Sequence, residues 1–376
     1  MGFTLNGITV TGGVTFQAVP PGPASGALYS WGTNGSGQLG LNNTTSYSSP
    51  KQVGALTTWT QVSCPTWLSS AAIKSDGTLW TWGLNDRGQL GLGNTTSYSS
   101  PKQVGALTTW AQVSNGARFS CLAVRTDGTL WAWGSGNNGV LGLGNSNNYN
   151  SPKQVGALTT WLQVNCGRYH TVAVKTDGTL WSWGLNSYGQ LGLNNTTYYS
   201  SPKQVGAGTT WSRVDRGDYF SLAVKTDGTL WSWGRNQYGQ LGLNTTTYYS
   251  SPKQVGSGTT WLEISAGLNH CLAVKTDGTL WAWGFNASGQ LGTGNTTYRS
   301  SPVQVGALTT WSEVTAMRNV SFAIKTDGTL WAWGSGGYGQ LGLNNTTYYS
   351  SPVQVGALTT WLSAAAGMYQ TLAISS

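Results

Sequence analysis

The side chains able to do chemistry are few. Across 376 residues there are eleven carboxylates, two histidines and four cysteines. Six carboxylates stand in Asp-Gly pairs, at Asp76, Asp127, Asp177, Asp227, Asp277 and Asp327, where Asp is a turn former. That leaves Asp86, Asp215, Asp218, Glu263 and Glu313. Asp215 and Asp218 are near neighbours, but no second motif makes them an acid–base pair. His170 and His270 have no carboxylate or cysteine beside them, which argues against zinc. Cys64, Cys121, Cys166 and Cys271 follow neither metal-ligand nor disulfide-framework spacing, so free thiols are expected. Gly-x-Ser-x-Gly, Walker A and dinucleotide fingerprints are all missing. The sequence therefore predicts no enzyme, no cofactor and no metal site.

The elements behind these residues are repeats. Trp-Gly recurs at Trp31, Trp82, Trp133, Trp183, Trp233, Trp283 and Trp333. Thr-Thr-Trp ends at Trp59, Trp110, Trp161, Trp211, Trp261, Trp311 and Trp361, again every 50 or 51 residues. Within a unit such as AVKTDGTLWSWG (173–184), period-two apolar runs flank Asp-Gly, a hairpin signal whose two central residues would both take positive φ. SPKQVG and the stretch after Thr-Thr-Trp read as two more strands between Gly, Pro and Ser breakers. Four strands, repeated seven times, predict an all-β, seven-bladed β-propeller over residues 27–376. The last unit stops at GMYQTLAISS, and Ala27–Trp31 supply the strand it lacks. Pairing 371–375 with 27–31 would close the ring and remove two exposed edges.

Composition agrees. Gly is 54 of 376 and only 8% of residues are charged, against roughly 25% in an ordinary chain. Disordered chains are charge-rich and aromatic-poor, whereas this one has 21 Trp. No apolar run is long enough for a membrane span. The opening MGFTLNGITVTGG lacks Lys, Arg and a continuous apolar core, so no signal peptide is expected. Residues 1–26 carry alternating Phe3, Leu5, Ile8, Val10, Val14 and Phe16 before the linker VPPGPASG, and read as an attachment segment leaving the back of the disc.

Seven near-copies can be compared with one another. SPKQVGALTTW, KTDGTLW and GQLGL hardly change, and variation concentrates in two windows. The first follows Trp-Gly and offers Arg87, Asn138, Tyr188, Arg235, Tyr238, Phe285 and Tyr338. The second precedes the strand that leads into Asp-Gly. It offers Trp67, Arg118, Phe119, Arg168, Tyr169, His170, Asp218, Tyr219, Phe220, Asn269, His270, Arg318, Asn319, Met368 and Tyr369. Hairpin geometry places both windows on one face and the Asp-Gly turns on the other. Rigid aromatics mixed with small polar residues resemble paratope usage, so these residues are expected to bind a ligand.

The unit HTVAVKTDGTLWSWGLNSYGQLGL (170–193) resembles the repeat of the regulator of chromosome condensation family. The resemblance covers residues 27–376 and implies a seven-bladed propeller. Functions in that family include a nucleotide exchange factor for a small GTPase, a plant ultraviolet-B photoreceptor, ubiquitin-ligase modules and a bacterial β-lactamase inhibitor, so fold transfers and function does not. Photoreceptor chemistry is not implied, because Gly167-Arg168-Tyr169-His170-Thr171 lacks the family's Trp. Nor is the exchange factor's inserted wedge, for which the repeat spacing leaves no room.

Net charge is +8, but much of it is framework. Lys74, Arg125, Lys175, Lys225, Lys275 and Lys325 are expected to face the Asp-Gly carboxylates. The remaining window charges are dispersed, a poor phosphate track, so nucleic acid is not an expected partner. Low charge, near-identical repeats and a β-rich tag resemble virion surface proteins, particularly of bacteriophages. The leading expectation is a tail or capsid appendage on the virion surface or otherwise extracellular. It would recognise a host-surface receptor or glycan and join a larger virion assembly through 1–26. The alternative is an intracellular or secreted protein-binding regulator, such as an enzyme inhibitor or a GTPase or chromatin partner.

Overall fold

A computed structural model describes residues 24–64, 68–116 and 119–376. The described chain forms seven four-stranded antiparallel sheets. Blades 1 to 6 span residues 59–103, 110–154, 161–204, 211–254, 261–304 and 311–354. Blade 7 takes two strands from each end of the chain: Trp361–Ala366 and Gln370–Ser375, then Ala27–Gly32 and Tyr47–Gln52. Ala27 pairs with Ser375 and Trp31 with Thr371, so the ring closes in the expected register.

Blade 4 shows the order of strands within a blade. Trp211–Arg216 is innermost, followed by Phe220–Lys225 and Leu230–Gly234, with Tyr249–Gln254 at the rim. The middle two are almost wholly buried, and the rim strand is partly exposed. Apolar clusters form between blades rather than within them: Val172, Val174 and Leu180 of blade 3 pack with Trp211, Val214 and Trp233 of blade 4.

The repeat that carries this packing is Trp-Gly with Gly-Gln-Leu-Gly. All seven Trp-Gly indoles are fully buried. Each donates its Nε1–H to a backbone carbonyl of the preceding blade, as from Trp233 to Gln190 at 2.9 Å. In most blades a hydroxyl or thiol donates to the same oxygen, as Ser221 does to Gln190 at 2.9 Å. Gly192 lies against the Trp233 ring with φ +73, where a Cβ would stand 2.8 Å from the indole nitrogen. Both the positive φ and the close approach require glycine there.

The Asp-Gly hairpin differs from the expected two-residue turn. Only the glycine has positive φ, +74 at Gly178. Gly178 donates to Lys175 O at 2.9 Å and Lys175 to Thr179 O at 3.0 Å. This is a type I turn closed by a left-handed glycine, a three-residue hairpin loop. Asp177 accepts from both the backbone N–H and the hydroxyl of Thr179, and that hydroxyl accepts from Trp181 Nε1 at 2.8 Å. These hydrogen bonds, led by the Thr78 hydroxyl at Asp76, hold such turn carboxyls below their ordinary range. The framework cations do not sit on these carboxylates as expected. Lys175 Nζ lies 3.6 Å from the Trp181 ring centroid and 4.9 Å from that of Trp161, a cation held over two indoles.

Gly26 exchanges backbone hydrogen bonds with Trp59 of 2.9 and 3.1 Å, the place an Asp-Gly glycine takes in other blades. The chain therefore enters from the face opposite the two windows. The predicted attachment residues Phe3, Leu5, Ile8, Val10, Val14 and Phe16 lie outside the described residues. No described helix is long and apolar enough to cross a membrane.

Replacing Trp233 with Phe removes the bond to Gln190 and leaves a gap between two blades. Stability should fall by roughly 2–3 kcal/mol, read as a lower midpoint in chemical denaturation.

Candidate functional site

The two windows meet in every blade. The residue after Trp-Gly donates its backbone N–H to a carbonyl just before the second strand: Leu185 to Tyr169 at 2.8 Å, Arg235 to Tyr219 at 2.9 Å, Phe285 to Asn269 at 2.9 Å. Both windows thus share one face of the disc, as the hairpin argument requires. Within the first window the second residue is restricted to Asn, or to Gly at Gly136 and Gly336. Asn186 is fully buried, accepts from Leu191 N and donates to Asn195 O, both at 2.9 Å. It shapes the loop so that the residues on either side of it project.

Over blades 3 to 5 the projecting side chains form an arc of two contact clusters. Tyr169 and Tyr219 stack with ring centroids 4.9 Å apart and an interplanar angle of 21°. Tyr188 meets Tyr219 edge-on at 5.2 Å and Tyr248 at 5.7 Å. The Arg235 guanidinium lies 5.5 Å from the Tyr188 centroid and 5.6 Å from that of Tyr219. Arg168 covers Tyr169 at 5.0 Å and pairs with Asp218 at 3.1 Å. Farther round, Tyr238 packs on Phe285 at 4.9 Å, and Phe285 on Tyr298 at 4.8 Å. Tyr338 meets Tyr369 at 4.7 Å. Burial, and then the adjacent Tyr169, push the Tyr219 hydroxyl upward, so this phenol stays neutral and presents an amphipathic edge. Such rings bury area at low entropic cost.

Several predicted site residues belong elsewhere. His170 and His270 are fully buried between blades, each 3.0 Å from a serine, Ser221 and Ser321. Both serines spend their own proton on a carbonyl, so each imidazole donates from Nε2. Burial, aided at His170 by the Arg216 charge, pushes both imidazoles down to about 3. Phe220 is buried in the blade 4–5 core. Asp218 is buried under Arg168, and burial pushes its carboxyl up against the pull of that arginine. These four are packing residues rather than ligand contacts. Asn269 and Asn319 are half-buried and accept from Gln240 and Gln290. Arg87 is exposed beside Asp86. Asn138 takes φ +60 and Phe119 φ +65, and both are half-buried. Arg318 reaches Met368 of the next blade. Trp67 and Arg118 lie outside the described residues.

Two sets of residues escaped the sequence reading. Tyr198, Tyr248, Tyr298 and Tyr348 are 43–57% exposed and stand at the loop face, just before the rim strand and outside both variable windows. The signal was present: blades 7, 1 and 2 carry Ser46, Ser97 and Asn148 there. The second set is the innermost strand. Its inward-facing edge is not paired with another strand, and side chains of the preceding blade satisfy it. Gln112 accepts from Val164 N at 2.9 Å and donates to Val164 O at 3.0 Å. Gln163 clasps Val214 in the same way. At the same position blades 4 and 5 instead form the Arg213–Glu263 pair at 2.8 Å. Glu313 accepts from Ala364 N at 3.4 Å. Burial pushes the Glu313 carboxyl up to about 8.

The four cysteines are free and buried, and burial raises their thiols. Among the described residues no cluster of three or more His, Cys, Asp or Glu is placed to hold a metal ion.

Comparison with known proteins gives a coherent set of matches. Residues 22–318 match the RCC1-like domain, and residues 327–374 match the regulator of chromosome condensation (RCC1) repeat. The ultraviolet-B receptor UVR8 of Arabidopsis thaliana is 38% identical over 163 residues, 40% of this chain and 37% of the receptor. The human E3 ubiquitin-protein ligase HERC2 is 32% identical over 155 residues, 38% of this chain and 3% of the ligase. The chain thus spans well under half the length of these relatives. Human WBSCR16 superposes with TM-score 0.83 at 21% identity, covering 93% of this chain and all of that one. Prp20p of Saccharomyces cerevisiae superposes with TM-score 0.81 at 20% identity, covering 94% and 92%. These two share the fold.

The buried ionisable groups set opposite pH limits. A histidine that titrates near 6.5 unfolded and about 3 folded stabilises the native state above the unfolded value. That contribution is lost as pH falls from 6.5 towards 3. Gln370 holds the equivalent place in blade 7, so His170→Gln should fold and should shrink the stability lost between neutral pH and pH 5 by roughly 1–2 kcal/mol. Glu313 runs the other way: its raised value favours the fold fully below 4.5 and less as pH rises to about 8. Glu313→Gln, which copies Gln61, Gln112 and Gln163, should stabilise the protein at pH 8 by on the order of 1–3 kcal/mol and leave it unchanged at pH 4.

Proposed function

The chain belongs to the RCC1-like domain family, and from that premise we propose that it acts by binding a protein partner on its loop face rather than by catalysis. The observation that carries this reading is the aromatic–arginine arc of blades 3 to 5. The framework around it is copied almost unchanged, yet here seven aromatic rings and two guanidinium groups from three blades gather in two contact clusters, one around Tyr219 and one around Phe285. Tyr and Arg are the residue types enriched where protein interfaces concentrate their binding energy.

The carboxylates support a binding role. Six cap turns, Asp215 accepts from Arg216 N and Ala266 N, and Asp218 and Glu263 are held by arginines. The relatives favour a protein-binding regulator over the virion display that composition suggested: Prp20p, with the same fold, binds Gsp1p and histones, and HERC2 is a ubiquitin-protein ligase.

The test exchanges the arc for residues already used elsewhere in the ring: Tyr188→Ser as at Ser36, Tyr219→Asn as at Asn269 and Arg235→Ser as at Ser335. Wild type, this triple variant and a rim control, Lys203→Ala, are used as bait in cross-linking capture from cells and probed on a glycan array. Proteins captured by wild type and the control but lost by the triple variant are the expected result. Equal capture by all three, or binding confined to glycans, would sink the proposal.

A further inference from the structure

A cavity lies away from the loop face, in the lateral groove between blades 1 and 2. It measures about 390 Å³, within the range of small-molecule sites. Its walls are Leu92, Val104, Leu107, Pro152 and the indoles of Trp110 and Trp131. Leu107 stands at the mouth, 42% exposed. Glycine backbone at Gly91, Gly93 and Gly105 completes the lining.

Two hydrogen-bond donors in this groove have no partner among the described residues. Trp110 is 3% exposed, and its buried Nε1–H is unpaired. The Arg125 Nε–H is likewise buried and unpaired. The guanidinium lies close to both indoles, 3.9 Å from the Trp131 centroid and 4.9 Å from that of Trp110. It makes no ion pair with a described acid. The nearby Asp127 is committed to Thr129, accepting from its N–H and hydroxyl at 2.9 and 2.6 Å.

The unpaired indole N–H recurs in all seven blades and so belongs to the framework. Arg125 does not recur. Lys74, Lys175, Lys225, Lys275 and Lys325 occupy this position elsewhere, and Ser375 ends the series. A lysine offers a compact point charge, whereas a guanidinium stacked on aromatic rings keeps a planar fork of donors matched to a carboxylate. An apolar slot lined by indoles would take the body of the same molecule.

We propose that the groove between blades 1 and 2 binds a small carboxylic acid with an aromatic or branched apolar body, its carboxylate on Arg125 and its body against Trp110, Trp131 and Leu107. The site is independent of the loop face and would stand if the arc bound nothing.

Phenylacetate is the probe, with phenylacetamide as its uncharged twin, titrated into the full chain by ligand-observed NMR and calorimetry. Arg125→Lys restores the residue that five other blades carry, so the fold is retained. The converse, Lys175→Arg, builds the same fork in the neighbouring groove. The expected result is phenylacetate binding weakened about tenfold in Arg125→Lys, a comparable deficit for phenylacetamide on wild type, and a second weak site in Lys175→Arg. Equal binding of acid and amide, affinity unchanged in Arg125→Lys, or no binding by wild type in the millimolar range would each overturn the assignment.

Discussion

One carbonyl per blade holds the ring together. The Gln oxygen of Gly-Gln-Leu-Gly (Val140 in one blade) accepts the indole N–H of the next blade's Trp-Gly at 2.8–3.0 Å. A buried N–H left unpaired costs as much as a lost hydrogen bond, and each indole is otherwise enclosed by apolar atoms. The bond therefore sets the angle and distance between blades. Its geometry demands glycine beside the ring, which explains why Gly-Gln-Leu-Gly and Trp-Gly stay so nearly constant. Seven such locks close only if blade 7 is completed by both chain ends, so the pairing of Ala27–Gly32 with Gln370–Ser375 and the indole locks are one constraint seen at two scales.

A framework fixed in this way leaves the loop tips free to differ. The first window hangs from a buried Asn and a Gln whose side chain accepts from the loop backbone, as Gln190 does from Tyr188 N at 2.9 Å. The tip residues inherit a defined direction without contributing to the core. This is why tyrosines of adjacent blades meet in register, as Tyr169 and Tyr219 do when they stack, and why an arginine from one blade can lie over rings supplied by two. The rigid arc arises from the copying of the scaffold, since equal positions in adjacent blades face one another.

Much of this was legible in the sequence, for a physical reason. A repeat of 50 residues with one hairpin signal per unit leaves few ways to pair strands, and the two incomplete ends identify each other. What escaped depended on side-chain direction. His170, His270 and Phe220 fall in a variable window but begin the second strand, and alternation along it turns them inward. Tyr198, Tyr248, Tyr298 and Tyr348 sit in a stretch that looks uniform until its first Tyr is compared with Ser46, Ser97 and Asn148. Lys175 is close in sequence to Asp177, yet the turn aims the carboxylate at Thr179 and leaves the ammonium over indoles. Spacing along the chain could not distinguish these outcomes, because each was decided by packing in space: the next blade at His170, His270 and Phe220, and the blade's own indoles at Lys175.

The same neighbour relation bears on how the copies diverged. Arg168 pairs with Asp218 and Arg213 with Glu263, each exactly one repeat away. A half-buried charge introduced in one blade faces the equivalent position of the next, and without an opposite partner it would remain desolvated and uncompensated. Changes at the inner strand and the buried part of the second window are thus coupled in pairs around the ring. The half-buried tips of the arc, Tyr188, Tyr238 and Phe285, meet no such demand for charge compensation. Packing explains Asp218 and Arg168 without reference to a ligand, but it gives no reason for aromatic rings to accumulate at tips that solvent could occupy. The divergence of the scaffold therefore separates into an inner part governed by the neighbouring blade and an outer part free of that constraint.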